Sequence, residues 1–159
     1  MTTKRAAHPR QKKSYWEFVN DIVKHLKSHF YLHAWSIRVL NMKEAKGEAN
    51  RDCYSSAEVI ASMGSDDSYM DATLKLYPAA EKLFKDKRYD YLGSCLVHEF
   101  CHVLTDPLYK VAVEGVSRRE GPNLEHVREN TTQSIANIVM PGIDKSIFSP
   151  YKVTGKGDK

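Results

Sequence analysis

Apolar residues near the start of the chain recur at helical spacing. The pattern predicts an amphipathic helix over residues 15–32 with one buried face. That face carries Phe18, Val19, Ile22, Val23, Leu26 and Phe30. Ser14 and Glu17 form a capping-box pattern, in which each side chain satisfies a backbone N–H at the helix start. We therefore expect the first helix to begin directly after Ser14.

From residue 34 the apolar residues alternate with polar ones, which predicts strands. The first predicted strand carries Trp35, Ile37 and Val39 on one face. A weaker alternation over residues 53–61 predicts a second strand, followed by turn residues at 64–67. The clearest strand covers residues 70–77, with Met70, Ala72, Leu74 and Leu76 on one face, and Pro78 ends it. Short links between the strands predict a small, three-stranded, mainly antiparallel sheet.

The remaining apolar residues follow helical spacing. A short helix is predicted over residues 79–87 and a longer one over 89–105, which Asp106-Pro107 should end, because the residue before proline avoids the α conformation. A last helix should open at Gly121-Pro122 and close before Pro141-Gly142. Its predicted buried face carries Leu124, Val127, Thr131, Ile135, Ile138 and Val139. The chain thus predicts an α+β domain over residues 14–145, between a flexible basic lead (1–13) and a polar tail (146–159).

The composition fits one soluble domain, since 42% of the 159 residues are hydrophobic and 28% are charged. We find no apolar run of signal-peptide or transmembrane length. The three cysteines, Cys53, Cys95 and Cys101, lack the spacing of a disulfide framework. We therefore expect a cytoplasmic protein without a membrane partner.

The net charge of +4 comes from the ends of the chain. The basic residues there are Lys4, Arg5, Arg10, Lys12 and Lys13, and Lys152, Lys156 and Lys159. Basic arms can bind phosphate, but no aromatic residues are interleaved with these, so nucleic acid is not the partner we expect. The histidines at positions 25, 29 and 33 share a helical stripe that no acidic residue or cysteine joins, and we interpret them as solvated or partly buried.

The candidate chemistry lies in His98-Glu99-Phe100-Cys101-His102, an H-E-x-x-H motif on the long predicted helix. Histidines four positions apart share one helical face, so their imidazoles can converge on one metal ion. Glu99 is turned away from that ion but can reach a water beside it and act as a base. The alternative is a pair of core or surface histidines with an incidental glutamate. The apolar neighbours favour the metal site, and they are Leu96, Val97, Val103 and Leu104.

Catalytic zinc usually has three protein ligands and one open position, so the motif needs a third ligand. A metzincin-type pattern would place a histidine where the sequence has Leu108. Two glutamates on the last helix, Glu125 and Glu129, are the main candidates, and Asp106 and Glu114 are weaker ones. We prefer Glu129, which borders the buried face, because Glu125 in the first turn already has a favourable role beside the helix N-terminus.

The motif with a downstream glutamate resembles the gluzincin branch of the zincin metallopeptidases. The order of elements is similar to that of minimal gluzincins, including short zincin-like proteins of bacteria and their phages. Two segments within residues 35–140 carry the resemblance, CLVHEFCHVL with the following DPL, and ENTTQSIANIV. The resemblance implies a zincin-like fold, Zn²⁺ held by His98, His102 and Glu129, and Glu99 as the base. It also implies that the strand near residues 70–77 lies at the lip of a cleft, where an extended peptide can pair with it.

We therefore expect zinc-dependent hydrolysis of a peptide or protein substrate, with Glu99 taking the proton of the attacking water. Candidate oxyanion-stabilising groups are Tyr109, His126 and Arg128. Candidate partners for the second nitrogen of a ligating imidazole are Asp106 and Gln133.

Three other interpretations remain open at this point. In the first, the chain is a zinc-binding interaction module without catalysis. In the second, it is a DNA-associated protease of the SprT-like kind that uses its basic ends. In the third, it is a structural protein without metal. Steeply salt-dependent DNA binding would identify the second, and elemental analysis would identify the third.

Overall fold

The computed structural model describes residues 11–42, 59–114 and 121–152. The elements follow the order α1 (Tyr15–His29), β1 (Ser36–Asn41), β2 (Ala61–Asp66), β3 (Asp71–Leu76), α2 (Pro78–Lys85), α3 (Tyr89–Glu114) and α4 (Gly121–Val139). Two short 3-10 helices, Met140–Gly142 and Lys145–Phe148, follow α4. The α+β class predicted from the sequence is confirmed.

The first helix begins where the sequence predicted it. The backbone N–H of Glu17 donates to Ser14 Oγ at 3.2 Å, and the backbone N–H of Ser14 donates to Glu17 Oε2 at 2.8 Å, which completes the capping box. The apolar face of α1 is buried in the core, as expected. The helix ends at His29, three residues earlier than predicted. Tyr31 follows with a positive φ of 56°, a backbone conformation outside the helical region.

The sheet is mixed, and the prediction of a mainly antiparallel sheet is wrong. The strand order is β1-β3-β2; β1 pairs with β3 in parallel and β2 pairs with β3 antiparallel, over six residue pairs each. The prediction assumed short links throughout. Only β2 and β3 are joined by a tight turn, whereas positions 42–60 separate β1 from β2 in the sequence, which is enough chain for β1 to join the far side of β3.

The clearest predicted strand is confirmed as β3, in which Ala72, Leu74 and Leu76 are buried. Met70, predicted on the same face, precedes the strand and is 49% exposed. Most of the predicted strand over residues 53–61 lies outside the described residues. The turn predicted at 64–67 lies at residues 67–70, three positions later, because Gly64 to Asp66 still pair with β3.

The helix α3 continues past Pro107 to Glu114, so the predicted stop at Asp106-Pro107 is wrong. A proline inside a helix removes one backbone hydrogen bond, and the continuation needs other contacts. Lys110 contributes two such contacts, because its Nζ donates to the carbonyl of Ser65 at 2.9 Å and to Asp67 Oδ2 at 3.0 Å. Tyr109 supplies another, since the Arg128 guanidinium lies 5.2 Å from the centre of its ring.

The bounds of α4 agree with the prediction, but its buried face agrees only in part. Ile135 and Val139 pack against the core, as predicted. Val127 and Ile138 are 56% and 78% exposed, and Thr132 and Ala136 are buried instead. The face of α4 that packs on α3 is partly polar, and its polar side chains form hydrogen bonds with α3. Thr105 Oγ1 and Thr132 Oγ1 lie 2.9 Å apart in a hydrogen bond between the two helices. Apolar spacing alone finds only part of the buried face of such a helix.

The ends of the described chain pair with each other. The backbone N–H of Lys13 donates to the Pro150 carbonyl at 2.7 Å, and that of Lys152 donates to the Gln11 carbonyl at 2.9 Å. Phe148 is only 3% exposed and packs in the core. Residues 11–13 and 146–152, which the sequence assigned to the lead and the tail, are therefore part of the packed domain.

The structure also locates the cysteines and the histidine stripe. Cys95 is partly buried and Cys101 is buried, both as free thiols, and Cys53 lies outside the described residues. In the histidine stripe of α1, His25 and His29 are partly buried, and His33 is exposed beyond the helix. Within the described residues, no helix combines the length and the apolar content needed to cross a bilayer.

Candidate metal centre

The two histidines of the H-E-x-x-H motif lie one turn apart on α3. Their ring centroids are 5.0 Å apart and their planes are nearly perpendicular, at 81°. His102 is buried, with 4% of its surface exposed, and His98 is partly buried. The helix therefore presents two imidazoles on the face that packs against α4.

Glu129 of α4 lies across from both imidazoles. Its Oε2 is 3.4 Å from His98 Nε2, and its Oε1 is 3.5 Å from His102 Nε2. One ligand atom from each of the three residues lies within 4.8 Å of the others. Tetrahedral zinc with bonds of 2.0–2.1 Å separates its ligand atoms by about 3.3 Å. The spacing and the two-nitrogen, one-oxygen donor set both fit such an ion.

The competing third ligands have other positions. Glu125 Oε1 accepts from Arg128 Nη1 at 2.6 Å, one helical turn before Glu129. Glu114 ends α3 and is exposed. Asp106 lies behind His102, on the side of Nδ1. Of the four candidates, Glu129 is the one that the structure brings together with both histidines.

Asp106 and Thr132 contact the second nitrogen of His102. Asp106 Oδ1 and Thr132 Oγ1 are each 3.4 Å from Nδ1. The Asp106 carboxylate accepts hydrogen bonds and donates none, so it favours a proton on Nδ1 of the neutral His102 ring. The lone pair on Nε2 of His102 then points toward Glu129. Gln133, the other predicted partner, donates to Asn137 on the exposed face of α4 and takes no part. Thr132 was missed in the sequence because it has no charge to draw attention to it.

His98 differs from His102 in its second nitrogen. His98 Nδ1 is buried and has no hydrogen-bond partner among the described residues. The His98 ring is therefore oriented by packing and by its Nε2 contact with Glu129.

The charges of the cluster shift the pKa values of its members. Burial alone would lower the pKa of His102, but hydrogen bonds with Asp106 and Glu129 outweigh it and raise that pKa to about 9. Hydrogen bonds with His102 and His98 lower the pKa of Glu129. In the metal-free protein these groups hold a proton on His102, and a metal ion has to displace it.

Glu99 lies beside the cluster without joining it. Its side chain is partly buried, and burial raises its pKa to about 7. The backbone of Met63 on β2 hydrogen-bonds to the carboxylate and opposes that rise. Glu99 therefore lies between the histidines and the sheet.

The strand next to this site is β2, and the expectation for residues 70–77 is wrong. Because β3 is central, both of its edges are already paired, and no peptide can add to it. On β2, the carbonyl of Ile60 accepts from Tyr77, so the antiparallel alternation turns the backbone groups of Ala61, Met63 and Ser65 outward. The contacts of Met63 with Glu99 and of Ser65 with Lys110 agree with that direction.

The three predicted oxyanion groups have other contacts. The Arg128 guanidinium contacts Asp106, Glu125 and Glu129. The Tyr109 hydroxyl bonds to Glu125. His126 is exposed, and its Nε2 lies 2.9 Å from Asn130 Nδ2. Arg128 has a larger role in the site than the sequence predicted, because it links carboxylates from both helices.

The chain was also compared with known proteins. No protein-family model, no curated protein and no solved structure matches it.

Proposed function

We propose that the protein is a zinc-dependent peptidase in which His98, His102 and Glu129 hold the metal and Glu99 acts as the general base. The observation that carries the proposal is the convergence of two imidazole nitrogens and one carboxylate, all within 4.8 Å, on the face of α3 that packs against α4. The resemblance of the motif to minimal gluzincins agrees with this donor set, and with a glutamate that follows the first histidine.

The chemistry divides between the metal and the protein. When bound, zinc lowers the pKa of a water and polarises a carbonyl group. Glu99 accepts the proton of the attacking water and delivers it to the leaving amine. The contact with the Met63 backbone holds the Glu99 carboxylate beside the cluster. Asp106 keeps His102 in the tautomer that can bind metal.

The outer edge of β2, with which no other described strand pairs, supports a peptide as the substrate. The Met63 backbone on this edge contacts Glu99, and an extended chain can pair with the outward backbone groups that this contact leaves open, such as those of Ala61. Backbone pairing of this kind recognises a polypeptide by its main chain and places a peptide carbonyl beside the base.

The test combines metal analysis with a substrate screen. Protein purified without chelator should contain one zinc per chain and cleave members of a peptide library. The Glu99→Gln variant should keep the zinc and lose at least about 100-fold in rate, the usual contribution of a positioned base. The rate should return when zinc is restored to chelator-treated wild-type protein.

Three results would contradict the proposal in different ways. Wild-type protein that binds no zinc at any concentration removes its basis altogether. Stoichiometric zinc without cleavage of any peptide favours a zinc-binding module that has no catalytic function. Full activity in the Glu99→Gln variant overturns the assignment of the base alone.

A further inference from the structure

Arg128 is a partly buried cation between the two helices that form the metal centre. Its side chain is 16% exposed, and its Nε donates to Asp106 Oδ1 at 2.8 Å. Its Nη1 donates to Glu125 Oε1 at 2.6 Å and lies 3.4 Å from Glu129 Oε1. Within the described part of the chain, this one guanidinium therefore contacts carboxylates on both α3 and α4.

Two of those contacts lead to different metal ligands. The Asp106 oxygen that accepts from Arg128 is also the oxygen 3.4 Å from Nδ1 of His102. The Glu129 oxygen near Arg128 is the one that faces Nε2 of His102. Arg128 thus contacts Asp106, which lies behind the ligand His102, and Glu129, which is itself a ligand.

The guanidinium is also held in orientation. It lies over the ring of Tyr109, 5.2 Å from the ring centre. The planar fork of arginine has donors in fixed directions, so the contact of its Nε with Asp106 determines where Nη1 meets Glu129. A lysine at this position has no fork and cannot reach all three carboxylates with fixed geometry.

We propose that Arg128 is a positioning residue, which sets the orientation of His102 through Asp106 and of Glu129 by direct contact, so that both are preorganised for the metal. This inference rests on the proposed function, since it requires that the cluster binds zinc. From the sequence, Arg128 was a candidate only for stabilising an oxyanion, and this inference gives it a different role.

A simple charge argument predicts the opposite effect. A cation next to a metal site repels the metal, so its removal should tighten zinc binding if charge were its main contribution. If Arg128 acts by orientation, its removal should weaken zinc binding, because Asp106 and Glu129 lose the partner that fixes them. Loss of a partner that orients a metal ligand typically costs 10–100-fold in affinity, by comparison with other zinc sites, so we expect about that. The direction of the change therefore separates the two explanations.

The experiment measures zinc affinity by competition with a chromophoric chelator, in wild type and three variants. Arg128→Met keeps the length of the side chain and removes the charge and the fork. Arg128→Lys keeps the charge and removes the fork. Glu125→Gln is the matched control. It alters a residue that contacts Arg128 but is not a proposed metal ligand, and the glutamine oxygen can still accept from Nη1. We expect about 10–100-fold weaker binding in Arg128→Met, a smaller loss in Arg128→Lys, and wild-type affinity in Glu125→Gln.

The absorption spectrum of Co²⁺ in the same proteins reports the geometry of the site directly. Arg128→Met and Arg128→Lys should change the shape and the intensity of the visible bands, whereas a role limited to general stability would leave the bands unchanged. Circular dichroism identifies any variant that fails to fold. If Arg128→Met fails, Arg128→Lys decides, since its charge is intact and only the fork is lost.

The outcomes separate the inference from the proposed function. Wild-type protein that binds neither zinc nor Co²⁺ overturns both. Normal metal binding in wild type, with equal or tighter zinc binding and unchanged Co²⁺ bands in the folded Arg128 variants, overturns the role of Arg128 and leaves the proposed function in place.

Discussion

Glu125 and Glu129 lie one turn apart on α4 and both contact Arg128, yet only Glu129 reaches the imidazoles. Glu125 pairs with Arg128, and Glu129 faces the imidazoles of His98 and His102. The difference follows from the distance of each glutamate from the first turn of α4. Only a residue about two turns into the helix lies opposite the H-E-x-x-H turn of α3.

This difference leads to a prediction for two isosteric substitutions. Glu129→Gln should weaken zinc binding by more than about 100-fold, because it removes a charged ligand, which costs more than the loss of a ligand's partner. Glu125→Gln should leave zinc binding near its wild-type value. Isothermal titration with zinc on chelator-treated protein measures both. Equal losses in the two variants would mean that neither glutamate is a specific ligand.

The residues of the candidate site were predictable in part. The helical spacing of His98 and His102 is local information, and so is the position of Glu129 at the border of the predicted buried face. The contacts of Arg128 and Thr132 with Asp106 and His102 cross from α4 to α3. Spacing within one helix carries no information about contacts between helices, so these contacts could not be predicted.

At the level of elements, local patterns predicted helix starts better than helix ends and faces. The capping box of α1 and the proline that opens α4 act within one turn, and both helices begin as expected. The continuation of α3 past Pro107 depends on contacts with β2 and α4, as does the polar packing face of α4. Both features depend on tertiary contacts that outweigh local preference.

The capping box gives a pH-dependent prediction. The hydrogen bond from Lys152, together with those from Ser14, lowers the pKa of Glu17 from 4.5 to about 2. A lowered folded-state pKa means that the carboxylate stabilises the fold above pH 4.5, and that this contribution is lost as the pH falls toward 2. Glu17→Gln should therefore lower the melting temperature at neutral pH, and the difference from wild type should shrink in acid.

Thermal denaturation at a series of pH values tests this, with Glu114→Gln as a control at an exposed carboxylate that ends α3. A constant difference between Glu17→Gln and wild type from pH 7 down to about 2 would show that the charge of Glu17 does not contribute.

For the whole molecule, the core depends on one close approach between a helix and the end of the described chain. Gly93 on α3 faces the ring of Phe148, and a Cβ at position 93 would overlap that ring. This contact was not expected, because Phe148 was assigned to a polar tail. A glycine inside a helix is unfavourable locally, and here the packing explains it.

Gly93→Ala should therefore destabilise the protein. Alanine gains about 1 kcal/mol in helix propensity, but overpacking a core usually costs about 1–3 kcal/mol, so we expect a net loss measurable by urea denaturation. Gly142→Ala, at a glycine with no atom near the added Cβ, is the control. The double variant Gly93→Ala, Phe148→Leu should recover part of the loss. A more stable Gly93→Ala protein would show that the Phe148 ring moves aside at no cost.

The backbone pairing of Gln11 and Lys13 with Pro150 and Lys152 has a consequence for how the chain folds. It joins segments from opposite ends of the sequence, so its loop-closure entropy is the largest in the described fold. The α1 helix and the β2–β3 hairpin need only local contacts and can form early. The pairing should form last and open first, so its amide hydrogens should exchange with solvent before those of the helix that carries His98 and His102.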